Sequence, residues 1–180
     1  MEIKNQTLEL EKETIRADAG YSILELLMVM AAVVMLVAGA LQLKGRVEQT
    51  NKIKDELGNL MAMQINITSV FQGQTGFSGL TNAVALAADI FPTSMTSGGN
   101  VSNKWGGAVT LAPAAGDLAY SIQYANVPTE ACVKLAGSVA SWDQIEIGGT
   151  VVTSSTANLT ATNITACGAA DAVTMTFQGR

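Results

Sequence analysis

Gly20-Tyr-Ser-Ile-Leu-Glu25-Leu-Leu-Met-Val-Met30-Ala-Ala-Val-Val-Met35-Leu-Val-Ala-Gly-Ala-Leu41 is the stretch on which the reading of this chain turns. Ile23 and Leu24 begin an apolar run, Leu26 to Leu41 carries no charge, and Lys44 and Arg46 close it. As a helix, Ile23 to Leu43 would be ~30 Å long, about the thickness of a bilayer's hydrocarbon core. The preceding residues, Met1 to Gly20, are polar. Glu2, Glu9, Glu11, Glu13 and Asp18 stand against Lys4, Lys12 and Arg16, five acids and three bases, for a net charge of -2. A secretory signal is cut after its apolar run, at small residues. Here the polar-to-apolar boundary comes first and is marked by Gly20. A cut at that point keeps the apolar helix in the mature protein.

Glu25 breaks the apolar run about one turn inside the membrane helix. A carboxylate in hydrocarbon costs a few kcal/mol on insertion scales, so it needs a partner or a functional reason. One reading is that it snorkels to the interface from a position near the helix end. The other needs cleavage between Gly20 and Tyr21. That cut creates an α-amine on Tyr21, four residues before Glu25. When helices pack side by side, the amine of one chain can neutralise the glutamate of its neighbour. Pairing opposite charges in low dielectric removes a penalty that neither chain relieves alone, and so favours assembly in register.

Gly20 to Met30 resembles the type IV prepilin motif: a glycine, a cleavage point, four residues, a glutamate, then an apolar helix. Tyr21 stands where Phe or Met is commoner in that family. The resemblance implies that a prepilin peptidase cuts after Gly20 and methylates the amine of Tyr21. It also implies that Glu25 guides docking into a filament.

Composition narrows the remaining classes. The chain has 180 residues with a net charge of -5, 48% hydrophobic and only 14% charged residues. An acidic chain whose Lys and Arg are scattered, and thin out after Lys54, suits nucleic acid poorly. Histidine is absent, which removes the commonest general base and metal ligand. The closest carboxylate pairs, Asp55/Glu56 and Asp143/Glu146, read as a solvated helix face and a strand edge. No enzyme is expected, and no cofactor or metal. Cys132 and Cys167, in a chain that reads as exported, suggest one disulfide, with two free thiols as the alternative. Two cysteines without histidine make a poor zinc set. The sequons at Asn158 and Asn163 read as chance matches in a polar stretch.

After Lys44 the pattern turns amphipathic. Ile53, Leu57, Leu60, Ile67 and Phe71 recur at helical spacing, with Glu48, Lys52, Asp55, Glu56 and Asn66 mainly elsewhere around the helix. One helix is expected over about 22–71, with a transmembrane half at 22–43 and an amphipathic half at 44–71. Gly39 and Gly45 read either as close helix packing or as points of local melting. The glycines from Gly73 to Gly79 end the helix. A short helix is expected over Leu80 to Ile90. Trp105 to Leu111, Leu118 to Tyr124, Ile145 to Val152 and Thr174 to Phe177 read as strands, with boundaries at Pro113 and Pro128. The segment from Gly148 to Thr165 is expected to face solvent or a neighbouring subunit.

Gly73-Gln-Thr-Gly-Phe-Ser-Gly79, Trp105-Gly-Gly and Ala131-Cys132-Val-Lys-Leu resemble bundle-forming pilins and thin conjugative pilins of the type IVb class. That resemblance implies an α+β fold, the type IV pilin α/β roll. It would have a long N-terminal helix spine, an antiparallel sheet and a disulfide-bounded C-terminal region. The expected organisation is a cleaved leader (1–20), the long helix (21–72) and a globular head (73–180) with its disulfide region at 132–167. The implied role is the major subunit of a bacterial type IVb pilus, serving adhesion, aggregation or conjugative contact. It would polymerise through its N-terminal helices. Its other partners would be a prepilin peptidase, the pilus assembly machinery and the inner membrane, which it spans once as a precursor with a periplasmic head. The assembled filament would be extracellular. The rivals are a pseudopilin of a type II secretion system and a membrane-anchored binding module that never polymerises. A calcium loop of the pseudopilin kind would need several acids near the C-terminus, and only Asp171 follows Cys167.

Overall fold

The computed structural model describes residues 22–138, 141–153 and 161–180. The leader (1–20), Tyr21 and Asn158 lie outside the described residues, as does the Asn163 side chain. The apolar and amphipathic stretches form one α-helix, α1, Ile23–Val70. The chain divides between Val47 and Glu48 into two compact units. In the first, every residue from Ile23 to Ala40 is exposed.

The second unit is an α+β body. Its share of α1 buries Ile53, Leu60, Met63 and Ile67, spaced by seven, three and four residues so that they fall on one stripe, and buried Phe71 follows just past the helix end. A short helix α2 follows at Asn82–Ala87, where the Thr81 hydroxyl caps the N-terminus by accepting from the Val84 N–H at 3.3 Å. It is shorter than Leu80 to Ile90 because Asp89 takes a left-handed backbone (φ 52°). A 3-10 turn, Thr93–Met95, leads into a small hairpin of β1, Thr96–Ser97, and β2, Asn100–Val101.

The main sheet contains β3 (Val109–Ala114), β4 (Ala119–Pro128), β5 (Gln144–Ile147), β6 (Thr150–Thr153) and β7 (Ala172–Gly179). Helix α3, Thr129–Ala136, connects β4 to β5, and helix α4, Ala161–Cys167, lies between β6 and β7. The order is β3-β4-β7-β5-β6 and every pairing is antiparallel. The last strand is therefore the central one. One row of paired residues crosses all five strands: Leu111, Ile122, Phe177, Ile145 and Val152. All five are buried in one cluster with the α1 stripe. Cys132 on α3 and Cys167 on α4 form a disulfide, with Cα atoms 5.7 Å apart and both residues fully buried.

Several sequence expectations need correction. Ile145 to Val152 is not one strand but the hairpin β5–β6. It folds at Gly148-Gly149, where both residues have positive φ (53° and 88°), a turn closed to most side chains. The strand expected from Trp105 starts only at Val109. Pro113 is no boundary: it lies inside β3, which a sheet edge tolerates because one side needs no N–H donor. β4 runs four residues past Tyr124 to Pro128, through an irregularity at Asn126 (φ 57°). Glu146 does not sit on an edge, since β5 pairs with β7 on one side and β6 on the other. Within the segment expected to face solvent or a neighbour, Val152 is a core residue, and the helix Ala161–Cys167 begins near its end.

Candidate functional site

Two features can carry function: the exposed helix with its carboxylate, and a buried carboxylate in the head. In the first unit, Ser22 precedes α1 and its carbonyl accepts from the Leu26 N–H at 3.0 Å, closing the first helical turn. Glu25 is the third residue of the helix, in that first turn. Its charge meets the unpaired N–H groups and the positive end of the helix dipole, which favours a carboxylate there. Around it the surface is apolar, with Ile23 78% exposed, Met28 67% and Val29 54%. An 18-residue window of this helix has a mean hydropathy of 2.5 and none of it is buried. By length and composition it can cross a membrane. An added Cβ at Gly39 or Gly45 would meet nothing within 4 Å, so packing inside this chain demands neither glycine.

The second feature overturns a sequence expectation. Glu56 is no part of a solvated face; it is fully buried. Its Oε1 accepts from the Lys104 backbone N–H at 2.6 Å. Its Oε2 accepts from the Tyr124 hydroxyl at 2.9 Å and the Asn59 amide at 3.3 Å. Asn59 Oδ1 in turn accepts from the Ser94 hydroxyl at 3.2 Å. The residues that meet it are held by their own bonds. Asn103, also buried, donates to the Ala125 carbonyl (2.7 Å) and accepts from the Trp105 and Gly107 N–H groups (3.0 and 2.9 Å). That loop passes close to β4, and a Cβ on Gly107 would collide with the Ala125 carbonyl. The Trp105 indole N–H reaches back to Gln49 on α1 at 3.4 Å.

This polar cluster perturbs a tyrosine. Burial pushes the Tyr124 phenol well above its usual range, and the charge and hydrogen bond of Glu56 push it further. Burial likewise pushes the Tyr120 phenol up to about 12; Gln64 moderates the effect and Asp143 adds to it. Gln64 nonetheless closes no hydrogen bond to that phenol, which has no partner among the described residues; its amide donates to the Ser141 carbonyl at 3.2 Å. Tyr120 packs edge-on to Phe77 and Trp142, with centroids 4.9 and 6.5 Å away.

The family described as PilS N terminal matches residues 50–179. The chain belongs to the PilS N-terminal family. Two curated relatives, each named "Major structural subunit of bundle-forming pilus", come from Escherichia coli O127:H6 (strain E2348/69 / EPEC) and Escherichia coli O111:H-. Each is 27% identical over 123 residues, which is 66% of this chain. The chain spans 64% of the length of these curated relatives. The fold matches the crystal structure of TcpA, a type IV pilin from Vibrio cholerae El Tor biotype, with a TM-score of 0.52 at 19% identity. That match covers 72% of this chain and 99% of TcpA. The type IVb pilin PilS from Salmonella typhi aligns with a TM-score of 0.47 at 25% identity, covering 70% of this chain and 94% of that one.

The resemblance to the bundle-forming pilins is borne out by the family and the curated relatives, as is the fold of a long helix, an antiparallel sheet and a C-terminal disulfide. In this PilS-family chain the matched region begins at Thr50, so it includes Glu56 and the Cys132–Cys167 disulfide. Glu25 lies N-terminal to it. Sequence reasoning missed Glu56, although a signal was present: position 56 falls between Ile53 and Leu60 on the apolar stripe.

Proposed function

We propose that this chain is the precursor of the major subunit of a type IVb pilus. The observation that carries the reading is the helix from Ile23 to Ala40, exposed along its whole length and uncharged but for Glu25 in its first turn. Water does not favour such a surface, and burial in lipid or against like helices removes it from water. Two successive environments fit it. As a precursor the chain sits in the inner membrane by this helix, head in the periplasm, with its polar leader on the other side. A prepilin peptidase removes residues 1–20 after Gly20 and methylates the Tyr21 amine. The assembly machinery then transfers the helix from lipid to the core of an extracellular filament.

Lipid and filament core are both apolar, so the transfer gains little from hydrophobic burial. Helix packing and charge pairing decide it instead. The Tyr21 amine of one copy neutralises Glu25 of the next, and that pairing sets the helices in register. The pilus then serves adhesion, aggregation or mating contact. The name borne by the curated relatives supports a pilus over a secretion pseudopilin or a binding module that never polymerises.

Mass spectrometry of the surface material tests the reading: a chain beginning at methylated Tyr21 is expected, and an intact Met1 start refutes it. Glu25→Ala is expected to insert in the membrane and form its disulfide, yet give few or no filaments by electron microscopy. Normal filament yield from that variant refutes the pairing.

A further inference from the structure

The stripe by which α1 packs on the head is nearly the same after a shift of seven residues. Ile53, Leu60 and Ile67 occupy equivalent positions, as do Asn59 and Asn66. Both asparagines contact the head, Asn59 through Ser94 and Asn66 by donating to the Ile90 carbonyl at 3.0 Å. An apolar stripe with this repeat specifies its own axial position weakly, because a helix displaced by one repeat presents the same shapes to the same pockets. The repeat fails at one pair of buried positions. Glu56 is answered seven residues later by Met63, and both are fully exclosed from solvent.

We infer that Glu56 is a positioning residue that fixes the axial register of α1 on the head. In the native register its carboxylate meets two donors from the head, the Lys104 N–H and the Tyr124 hydroxyl, besides the Asn59 amide, which lies on α1 and moves with it. A shift of seven residues in one direction carries that carboxylate into the pocket lined for Met63. A shift in the other brings Met63 to the donors and leaves them without an acceptor. Either way, buried polar groups lose their partners, while two of the three sites held by Ile53, Leu60 and Ile67 keep an aliphatic side chain. Neighbouring contacts cannot substitute for it. The Asn59 and Asn66 bonds survive in part because asparagine replaces asparagine, so they do not mark the register. A single buried polar residue that sets register is the best-attested specificity role of such groups.

The test uses the full chain in cells, with paired cysteines and a short bifunctional thiol cross-linker read by peptide mapping. The native cysteines are already joined to each other. Gln64→Cys with Ser141→Cys reports the native register, since Gln64 reaches the Ser141 carbonyl. Leu57→Cys or Phe71→Cys, each with Ser141→Cys, reports a shift of one repeat. With Glu56 in place, only the first pair is expected to link. In Glu56→Met with Tyr124→Phe, which replaces both halves of the bond by apolar groups, a folded head is expected to link through a shifted pair as well. Glu56→Gln keeps an acceptor at the site and is expected to restore the native link alone. A folded double variant that links only through Gln64→Cys overturns the inference. A double variant that fails to fold overturns it too, because the cluster would then supply stability rather than register.

Discussion

Replacing Tyr124 by Phe removes one hydroxyl from the core and leaves the Glu56 carboxylate buried with one donor fewer. That hydroxyl lies 2.9 Å from Glu56 Oε2, and both residues are fully buried. A hydrogen bond to a charged group contributes about 1.5–3 kcal/mol, so Tyr124→Phe should destabilise the head by about 2 kcal/mol. Glu56→Met orphans the Lys104 N–H and leaves the Tyr124 hydroxyl only the weak Met95 Sδ acceptor at 3.9 Å, at about 1–3 kcal/mol for each buried donor so deprived. The double variant no longer contains that phenol. It should be no less stable than Glu56→Met alone, giving a coupling of about 2 kcal/mol, inside the ~0.5–3 kcal/mol range of residues in contact. Urea unfolding of the four full-length chains in detergent, followed by the fluorescence of buried Trp142, reads this out. At a slope of ~2 kcal/mol/M, the coupling amounts to about 1 M in the midpoint. Additivity within ~0.5 kcal/mol would refute the reasoning, because it would mean that phenol and carboxylate do not exchange a bond that matters.

The disulfide closes a loop with a sequence separation of 35 residues, for which chain entropy gives about 4 kcal/mol. Cys132→Ala with Cys167→Ala should lower the urea midpoint by about 2 M on the same slope, and a shift under ~0.5 M would contradict it. Alkali should destabilise the head in a defined window. Unfolded tyrosines ionise near 10, whereas folded Tyr120 keeps its proton to about 12 and Tyr124 beyond its usual range. Stability is therefore unaffected by these groups below pH 10. It falls by about 1.4 kcal/mol per pH unit per tyrosine as pH rises toward 12. Ultraviolet titration should find both phenols un-ionised at pH 11 in the folded chain; tyrosinate formation near pH 10 by all three tyrosines without unfolding would oppose it. Gly107→Ala drives a methyl against the Ala125 carbonyl and should cost about 1–3 kcal/mol, with thermal unfolding as the measure.

The N-terminal half of this protein was legible because its properties are local. Hydropathy, length and the place of one carboxylate are fixed by consecutive residues, and a helix satisfies its own backbone without asking what lies beside it. The stripe from Ile53 to Ile67 was legible for the same reason, and it became the buried face of α1. What sequence could not supply was whatever depends on a distant partner. Glu56 looks like a solvated acid until Lys104 and Tyr124, 48 and 68 residues away, bring donors to it. Alternation marked Thr174 to Phe177 as a strand but not as the centre of the sheet, since that place is decided by pairing with β4 and β5. Gly148-Gly149 turned an apparent single strand into a hairpin because both glycines could take positive φ. Local chemistry thus determined the long helix and the strand-bearing body that follows it, and the resemblance supplied the fold class. The tertiary structure alone decided which acid is buried and which strand is central, because desolvation and strand pairing are set by residues remote in the chain.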